Sequence, residues 1–532
     1  MSPARQLFND YSHNFQQVRQ FFRYDPRNLD AALSELRGTQ QRRFDENQIN
    51  EIKLYNKRMD CGEETIQNID KLSESNTVAV VTGQQPAIFT GPLYTIYKTI
   101  TAIKLARHIS QRHNIPAVPI FWNASEDHDF QDVRHVEFVN RDNRLISLMY
   151  EPQADVEGKS IFDIPLEPSL SFLIDLLEGD TDTTEFKPYL VNLLRNSLGR
   201  CYSLADWFSH LLQALFNPYG LIILDAHLPP CRQLARPVVG REIKTPLRSS
   251  RLINEAGIQL QALGYHRQIE RKEDEVNFFF YAQGRRNKVR FRQGRFIVDR
   301  IGLEYDQAEM LDMLAQEPQR FSPSAALRPL VQDHILPTIA CVGGPGEIAY
   351  FAQMRNVYSF FDLVMPVIYP RARAVLVEAT VAKILERYGL HVEDMPKNRK
   401  ELLQMTAAHK SGRPIVQACD RKLEVIQMLL DELRREVAEV ETTLVEPIDK
   451  LKRKIGEEMD RLREKLVSAQ QTDLDVAEQQ IDKLKTNLFP EGKEQERVLN
   501  IFPFLFAYGI QFIAHLEKTL DIFSFDQQVI HI

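Results

Sequence analysis

The chain has 532 residues, 43% of them hydrophobic and 26% charged, and a formal net charge of -7. That length exceeds a single core and predicts two to four domains of an ordinary soluble globular protein. The acidic balance argues against nucleic-acid binding by general electrostatics, and without a run of about 20 apolar residues no membrane span is expected.

The first seventy or so residues are polar and helix-like. A strand follows in TVAVV (77–81), then the loop TGQQPAIFTGP and the helix LYTIYKTITAIKLARHI. IPAVPIFWNAS is a second apolar strand, and it ends at the acidic run Glu126, Asp127, His128, Asp129. This strand–loop–helix–strand order is a βαβ unit, hence an α/β fold with a parallel sheet and helices on its faces. YGLIILDAH (219–227), LPTIACVGGPGE (336–347) and LVMPVIYPRA (363–372) suit the same sheet. Between them, VNFFFYAQGRRNKVRFRQGRFIVD alternates and carries glycine turns, so residues 265–300 read as an inserted antiparallel hairpin. Its basic residues Arg285, Arg286, Lys288, Arg290 and Arg292 are expected to form a solvated, charged sheet edge.

From about residue 380 the pattern changes. Leu423, Ile426, Leu430, Leu433, Val437, Val440 and Leu444 recur every three or four residues, and Ile448, Leu451, Ile455, Met459, Leu462 and Leu466 resume the series. This seam predicts a coiled coil or long helical hairpin. Pro447 lacks the N–H a helix interior needs, so it is placed in the first turn of the second helix. The apolar tail NIFPFLFAYGIQFIAHLEKTL is expected to pack back onto the core. The N-terminus MSPARQLFNDYSHNF lacks a secretory signal, and Cys61, Cys201, Cys231, Cys341 and Cys419 form no CxxC pair; both fit a cytoplasmic protein.

In an open parallel sheet, ligands sit outside the carboxyl ends of the strands. Three loops fall there. In the first, Gln84 and Gln85 can donate and accept, and Tyr94 and Lys98 share one face of the following helix. The second holds Asn123 and the acidic run. The third, VGGPGEIAYFAQMR, brings Gly343, Gly344 and Gly346 before Glu347 and Tyr350; it is an anion cradle or a tight turn, and it is not a Walker loop. Asp127, His128 and Asp129 are adjacent, a spacing unlike HExxH, so no transition-metal site is expected. Acid/base work by Glu126 or Asp127 with His128, substrate-ammonium capture, and a simple helix cap all remain open. Arg371, following the last strand, is a carboxylate ligand or a structural ion-pair partner.

The segments TGQQPAIFTGPLYTIYKTITAIKLA, PIFWNASEDHDFQDV, LRPLVQDHILPTIACVGGPGEIAYFAQM and LFPEGKEQERVLN resemble the bacillithiol biosynthesis cysteine-adding enzymes, the BshC family, in family order. The resemblance implies a Rossmann-like core related to nucleotidyltransferases and class I synthetases over 1–380, with connecting insertions at about 140–215 and 230–335. It further implies a helical coiled-coil domain over 381–488 that makes a homodimer, and a helical segment over 489–532. The implied reaction joins cysteine through an amide to the amine of glucosaminyl malate, a ligase step that needs an activated carboxylate. ATP or another nucleotide with magnesium is the implied activator, with Gly343, Gly344 and Gly346 as its ligands. Glu126, Asp127, His128 and Asp129 would be catalytic; Gln84, Gln85, Tyr94, Lys98, Asn123, Glu347, Tyr350 and Arg371 would bind substrate. The first loop departs from the family's GLFGGP, and it lacks the histidine pair with which related enzymes form an adenylate; adenylate, acyl phosphate or a further partner remain open. The rival readings are a metal-dependent amidohydrolase and a non-catalytic assembly protein.

Overall fold

The computed structural model describes residues 3–39, 44–409 and 415–532. The chain forms two compact units, Met1–Ala374 with Glu496–Gln528, and Val375–Gln495 with Val529–Ile532.

The first unit is built on a five-stranded parallel sheet of β1 (Val78–Gln84), β2 (Ala117–Asn123), β3 (Ile222–Asp225), β9 (Thr338–Gly343) and β10 (Val367–Pro370), in the order β10-β9-β1-β2-β3. Nearly every residue of these strands is buried, which is why they read as continuous apolar runs without alternation. Helix α1 (Leu93–His113) crosses from β1 to β2. On one side, Val81, Ile120, Trp122 and Leu224 share a core with the N-terminal helices through Leu7, Phe8, Ile52 and Ile69, and with α2 (Pro229–Lys244) through Val239 and Ile243.

Between β3 and β9 lies a second, antiparallel sheet of β4 (Glu275–Ala282), β5 (Arg285–Arg292), β6 (Arg295–Val298), β7 (Leu303–Tyr305) and β8 (Phe321–Pro323), ordered β8-β4-β5-β6-β7. The expected hairpin is therefore the centre of a larger sheet. Its two tight turns, Gln283-Gly284 and Gln293-Gly294, place all four residues at positive φ, the geometry that lets a two-residue turn follow strand twist. Helices α3 (Arg328–Ile335) and α4 (Pro345–Phe351) flank β9 in the chain.

The C-terminal segment completes this unit. Phe89, Thr90 and Gly91, after β1, are three consecutive residues at positive φ, a conformation unfavourable for a β-branched threonine. Asn500 holds them there: its Nδ2 donates to the carbonyls of Phe89 and Gly91, each at 2.7 Å.

In the second unit, α5 (Ile415–Val440) and α6 (Val445–Leu488) form the long hairpin, with Pro447 in the first turn of α6 as its missing N–H requires. Ion pairs Arg434–Asp449 at 2.8 Å and Lys452–Asp431 at 2.6 Å join the two helices. The end of α6 packs Ile481, Leu484 and Leu488 against Val381, Ile384 and Leu402. Among the described residues no helix is long and apolar enough to cross a membrane.

Candidate active site

A cavity of about 670 Å³ opens at the carboxyl ends of β1, β2 and β9, bounded on its other side by β4 and β5. Gln84, Gln85, Tyr94, Lys98, Glu126, Asp127, His128, Asp129, Gly344, Gly346, Glu347, Tyr350 and Arg371 all line it, so three loops distant in sequence meet in one cleft. Gly343 is not among the lining residues; as the last residue of β9 it faces Glu347.

Two of the expected substrate cations are already paired. Lys98 Nζ meets Glu347 Oε2 at 2.6 Å and also donates to Gln84 Oε1 at 2.9 Å and the Gly83 carbonyl at 3.1 Å. All three of its donors are used, and burial lowers its pKa. The Gly344 N–H also goes to Glu347, at 2.8 Å, so the glycine turn caps its own helix rather than presenting that amide to an anion. Arg371 is buried and bidentate to Glu496, at 2.7 and 2.9 Å, the structural alternative for this residue. Around them, Gln84 Nε2 donates to the Tyr94 hydroxyl at 3.3 Å, and burial raises the Tyr94 pKa.

The acidic run divides into distinct roles. Glu126 is 3% exposed; its Oε2 meets Arg232 at 2.7 Å, whereas its Oε1 is buried without a hydrogen-bond partner. Asp127 accepts from Gln85 Nε2 at 2.7 Å and from the His128 backbone N–H at 2.7 Å, and lies 3.5 Å from Arg286. Burial pushes the Asp127 carboxyl up, but the Arg286 charge, Gln85 and the His128 backbone N–H together hold it well below the usual carboxylate range. Asp129 is exposed and makes no capping bond to the short helix after it, so the helix-cap role is not what its side chain does. His128 Nδ1 lies 2.9 Å from Arg286 Nη1, and a guanidinium only donates. Nδ1 is therefore the acceptor, and the neutral ring carries its proton on Nε2.

Asn123 lies outside the cleft. It is fully buried and donates to Ser209 at 2.8 Å and Asp225 at 3.2 Å, so it serves the core beneath the loop rather than substrate. Asp127, His128 and Asp129 do not converge on a point, and among the described residues no group of three His, Cys, Asp or Glu could hold a metal ion.

The hairpin cations need a correction. Arg286 is buried, not a solvated edge: its guanidinium lies 3.8 Å from the Phe279 ring centroid and donates to Ser322 at 2.9 Å and Pro323 O at 2.7 Å. Phe279 pairs across the strands with Lys288, and Arg286 lies two residues before Lys288, so all three share one face. Hairpin register would have exposed that grouping.

Three other cations line the cleft with no carboxylate at ion-pair distance among the described residues: Lys288, Arg328 and Arg497. Arg328 Nη2 donates to the Tyr350 hydroxyl at 2.9 Å and Nη1 to Gln332 at 3.1 Å. Arg497 comes from the segment that carries Asn500. Arg328 and Arg497 stand in the segments LRPLVQDHILPTIACVGGPGEIAYFAQM and LFPEGKEQERVLN, and Lys288 in the basic strand β5. Their surplus charge fits a ligand with carboxylates or phosphates.

The fold and cleft define an α/β protein with a Rossmann-like core, a polar ligand site at its strand ends and a separate helical-hairpin unit. Residues 1–372 match the family described as "Bacillithiol biosynthesis BshC, N-terminal Rossmann-like domain", and residues 374–532 match its "C-terminal coiled-coil domain". The chain belongs to the BshC family. It is 33% identical to a protein of Salinibacter ruber over 98% of this chain and 96% of that one. It is 31% identical to one of Natranaerobius thermophilus, over 97% and 95%. Both relatives carry the name "Putative cysteine ligase BshC".

Proposed function

We propose that this protein is a carbon–nitrogen ligase of bacillithiol synthesis, joining the carboxyl of cysteine to the glucosamine amine of glucosaminyl malate in the last step. The observation that carries the reading is Glu126. One oxygen is clamped by Arg232, and the other lacks a partner at the wall of a cleft that also holds three cations with no carboxylate at ion-pair distance among the described residues.

A protonated amine is no nucleophile, and the acceptor of its proton must lie within hydrogen-bond reach. Glu126 Oε1 is that acceptor. His128 is not, because Arg286 occupies Nδ1 and Nε2 already holds a proton. Nε2–H instead donates to the carbonyl oxygen of the cysteine as negative charge develops on it. The nitrogen forms its bond to that carbon, the leaving group departs with its electron pair and takes the second amine proton, and the first proton stays on Glu126. Lys288, Arg328 and Arg497 receive the malate carboxylates as charge-assisted hydrogen bonds. A nucleotide with magnesium, when bound, supplies the leaving group by activating the cysteine carboxylate; the same surplus of cations fits its phosphates. We place the protein in the cytoplasm, working as a homodimer through its helical hairpin.

The test is to incubate purified protein with cysteine, glucosaminyl malate, ATP and magnesium and to search for the thiol product by mass. Product that depends on all four components supports the reading. Absence of product with folded protein rejects it.

A further inference from the structure

We propose that Arg328 is the residue that selects the malyl carboxylate of the acceptor, and that Gln332 and Asp333 are positioning residues that hold its guanidinium towards the cleft. This rests on the acceptor assignment above.

Gln332 lies four residues after Arg328 on α3, so the two side chains share a helical face. Gln332 Oε1 accepts from Arg328 at 3.1 Å, while its Nε2 donates to Asp333 Oδ1 at 3.0 Å. Asp333 is fixed in turn by the Tyr358 hydroxyl. The polarity of this chain is determined: a flipped amide would set its oxygen against a carboxylate and its NH₂ against a guanidinium. The carboxylate thus orients the amide, and the amide oxygen orients the arginine.

A buried polar chain that only filled the core would close on itself. This one ends at the cleft, on a guanidinium with two of its five N–H groups used and no carboxylate at ion-pair distance among the described residues. Glu347 and Asp333 act on it only at longer range, so a ligand carboxylate there gains the direct, charge-assisted pair that the protein leaves unmade. Lys288 and Arg497 are exposed and carry no comparable support. Arg328 is preorganised, and a planar fork suits carboxylate geometry.

The experiment measures calorimetric affinity of the full-length protein for glucosaminyl malate and for methyl glucosaminide, which lacks the carboxylates. Arg328→Met and Gln332→Met are each expected to weaken glucosaminyl malate about tenfold and to leave methyl glucosaminide unchanged. The double variant should be no weaker than Arg328→Met alone, because both changes remove one contact. Equal losses for both ligands, or wild-type affinity for glucosaminyl malate in Gln332→Met, overturn the proposal. If Gln332→Met does not fold, Arg328→Lys decides: it keeps the charge and loses the fork, and must weaken only glucosaminyl malate. Wild-type protein that binds neither ligand rejects the acceptor assignment itself, a result separate from a failed relay.

Discussion

Arg286 donates through Nη1 to Nδ1 of His128 at 2.9 Å, with its own guanidinium stacked on Phe279 at 3.8 Å. The stacking and the bonds to Ser322 and Pro323 leave the arginine one orientation, so the imidazole has one tautomer. His128 acts as a donor at Nε2, and Arg286 is what makes it so. His128→Gln should reduce turnover about 100-fold with cysteine affinity retained. Arg286→Met should slow turnover by at least about tenfold, since the proton is no longer confined to Nε2. Steady-state rates at saturating substrate check both; an unchanged rate in His128→Gln removes the imidazole from the chemistry.

The structural duty of Glu126 and the chemical duty proposed for it can be separated. Its Oε2 balances the buried Arg232, so Glu126→Gln leaves that charge without its partner and should cost roughly 3–5 kcal/mol in denaturant unfolding. Adding Arg232→Met should recover much of the stability without recovering activity, because the acceptor for the amine proton is still missing. A double variant that is both stable and active would show that Glu126 is only an ion-pair partner.

Much of this was legible in the chain. Five fully buried strands announce themselves as apolar runs, and strand order then places the loops after Gln84, Asn123 and Gly343 at one edge. What stayed hidden depends on distant partners. Arg286 sits in an alternating basic strand that looks solvated, and only the arrival of Asp127 and Phe279 shows that it is buried. Arg328 and Arg497 stand in segments that carry the family resemblance, but nothing local marks them as cleft cations; the second reaches the cleft because Asn500, three residues on, is tied to the loop after β1. Strand β8 has three residues, too few for any period to show. Asn123 was misplaced because a strand-end amide can as well serve the core as a ligand, and Asp225 and Ser209 decide which.

Two buried carboxyls set a pH dependence of stability. Burial raises Asp225 to about 6 against the hydrogen bonds from Ser125 and His227, and raises Asp333 to about 6 against those from Tyr358 and Gln332. Each binds its proton more tightly in the folded state. Each therefore contributes a loss of stability as pH rises from about 4 to about 6, whereas His227, which burial lowers to about 3, contributes a gain over the same window. The loss is roughly 3 kcal/mol per group. Asp127 is lowered, so its contribution has the opposite sign and is lost only below the ordinary carboxylate range. Denaturant unfolding at pH 4.5, about 5.5 and about 7 should show a flatter curve in Asp225→Asn and Asp333→Asn than in wild type. Parallel curves in all three proteins would mean that the two carboxyls do not titrate there.

The helical hairpin carries the last prediction. Along α5 and α6, Met428 is 66% exposed, Leu429 59%, Leu433 43%, Leu451 46% and Leu462 46%. Leu429 and Leu433 lie four apart on one face of α5, Met428 borders them, and Leu451 and Leu462 lie along α6, so apolar side chains stay exposed on helices whose other residues are mostly charged. In the homodimer proposed above, a second copy presents the same stripe, and a two-fold pairing would cover each with the other. Burying a leucine of this kind contributes about 1.5–3 kcal/mol, and a charge placed there must instead be desolvated. Leu433→Asp and Leu462→Asp together should convert the dimer to monomers in sedimentation at micromolar concentration. The helix content should remain, because Arg434–Asp449 and Lys452–Asp431 still join α5 to α6. A dimer that survives both changes would place the contact between copies somewhere other than this stripe.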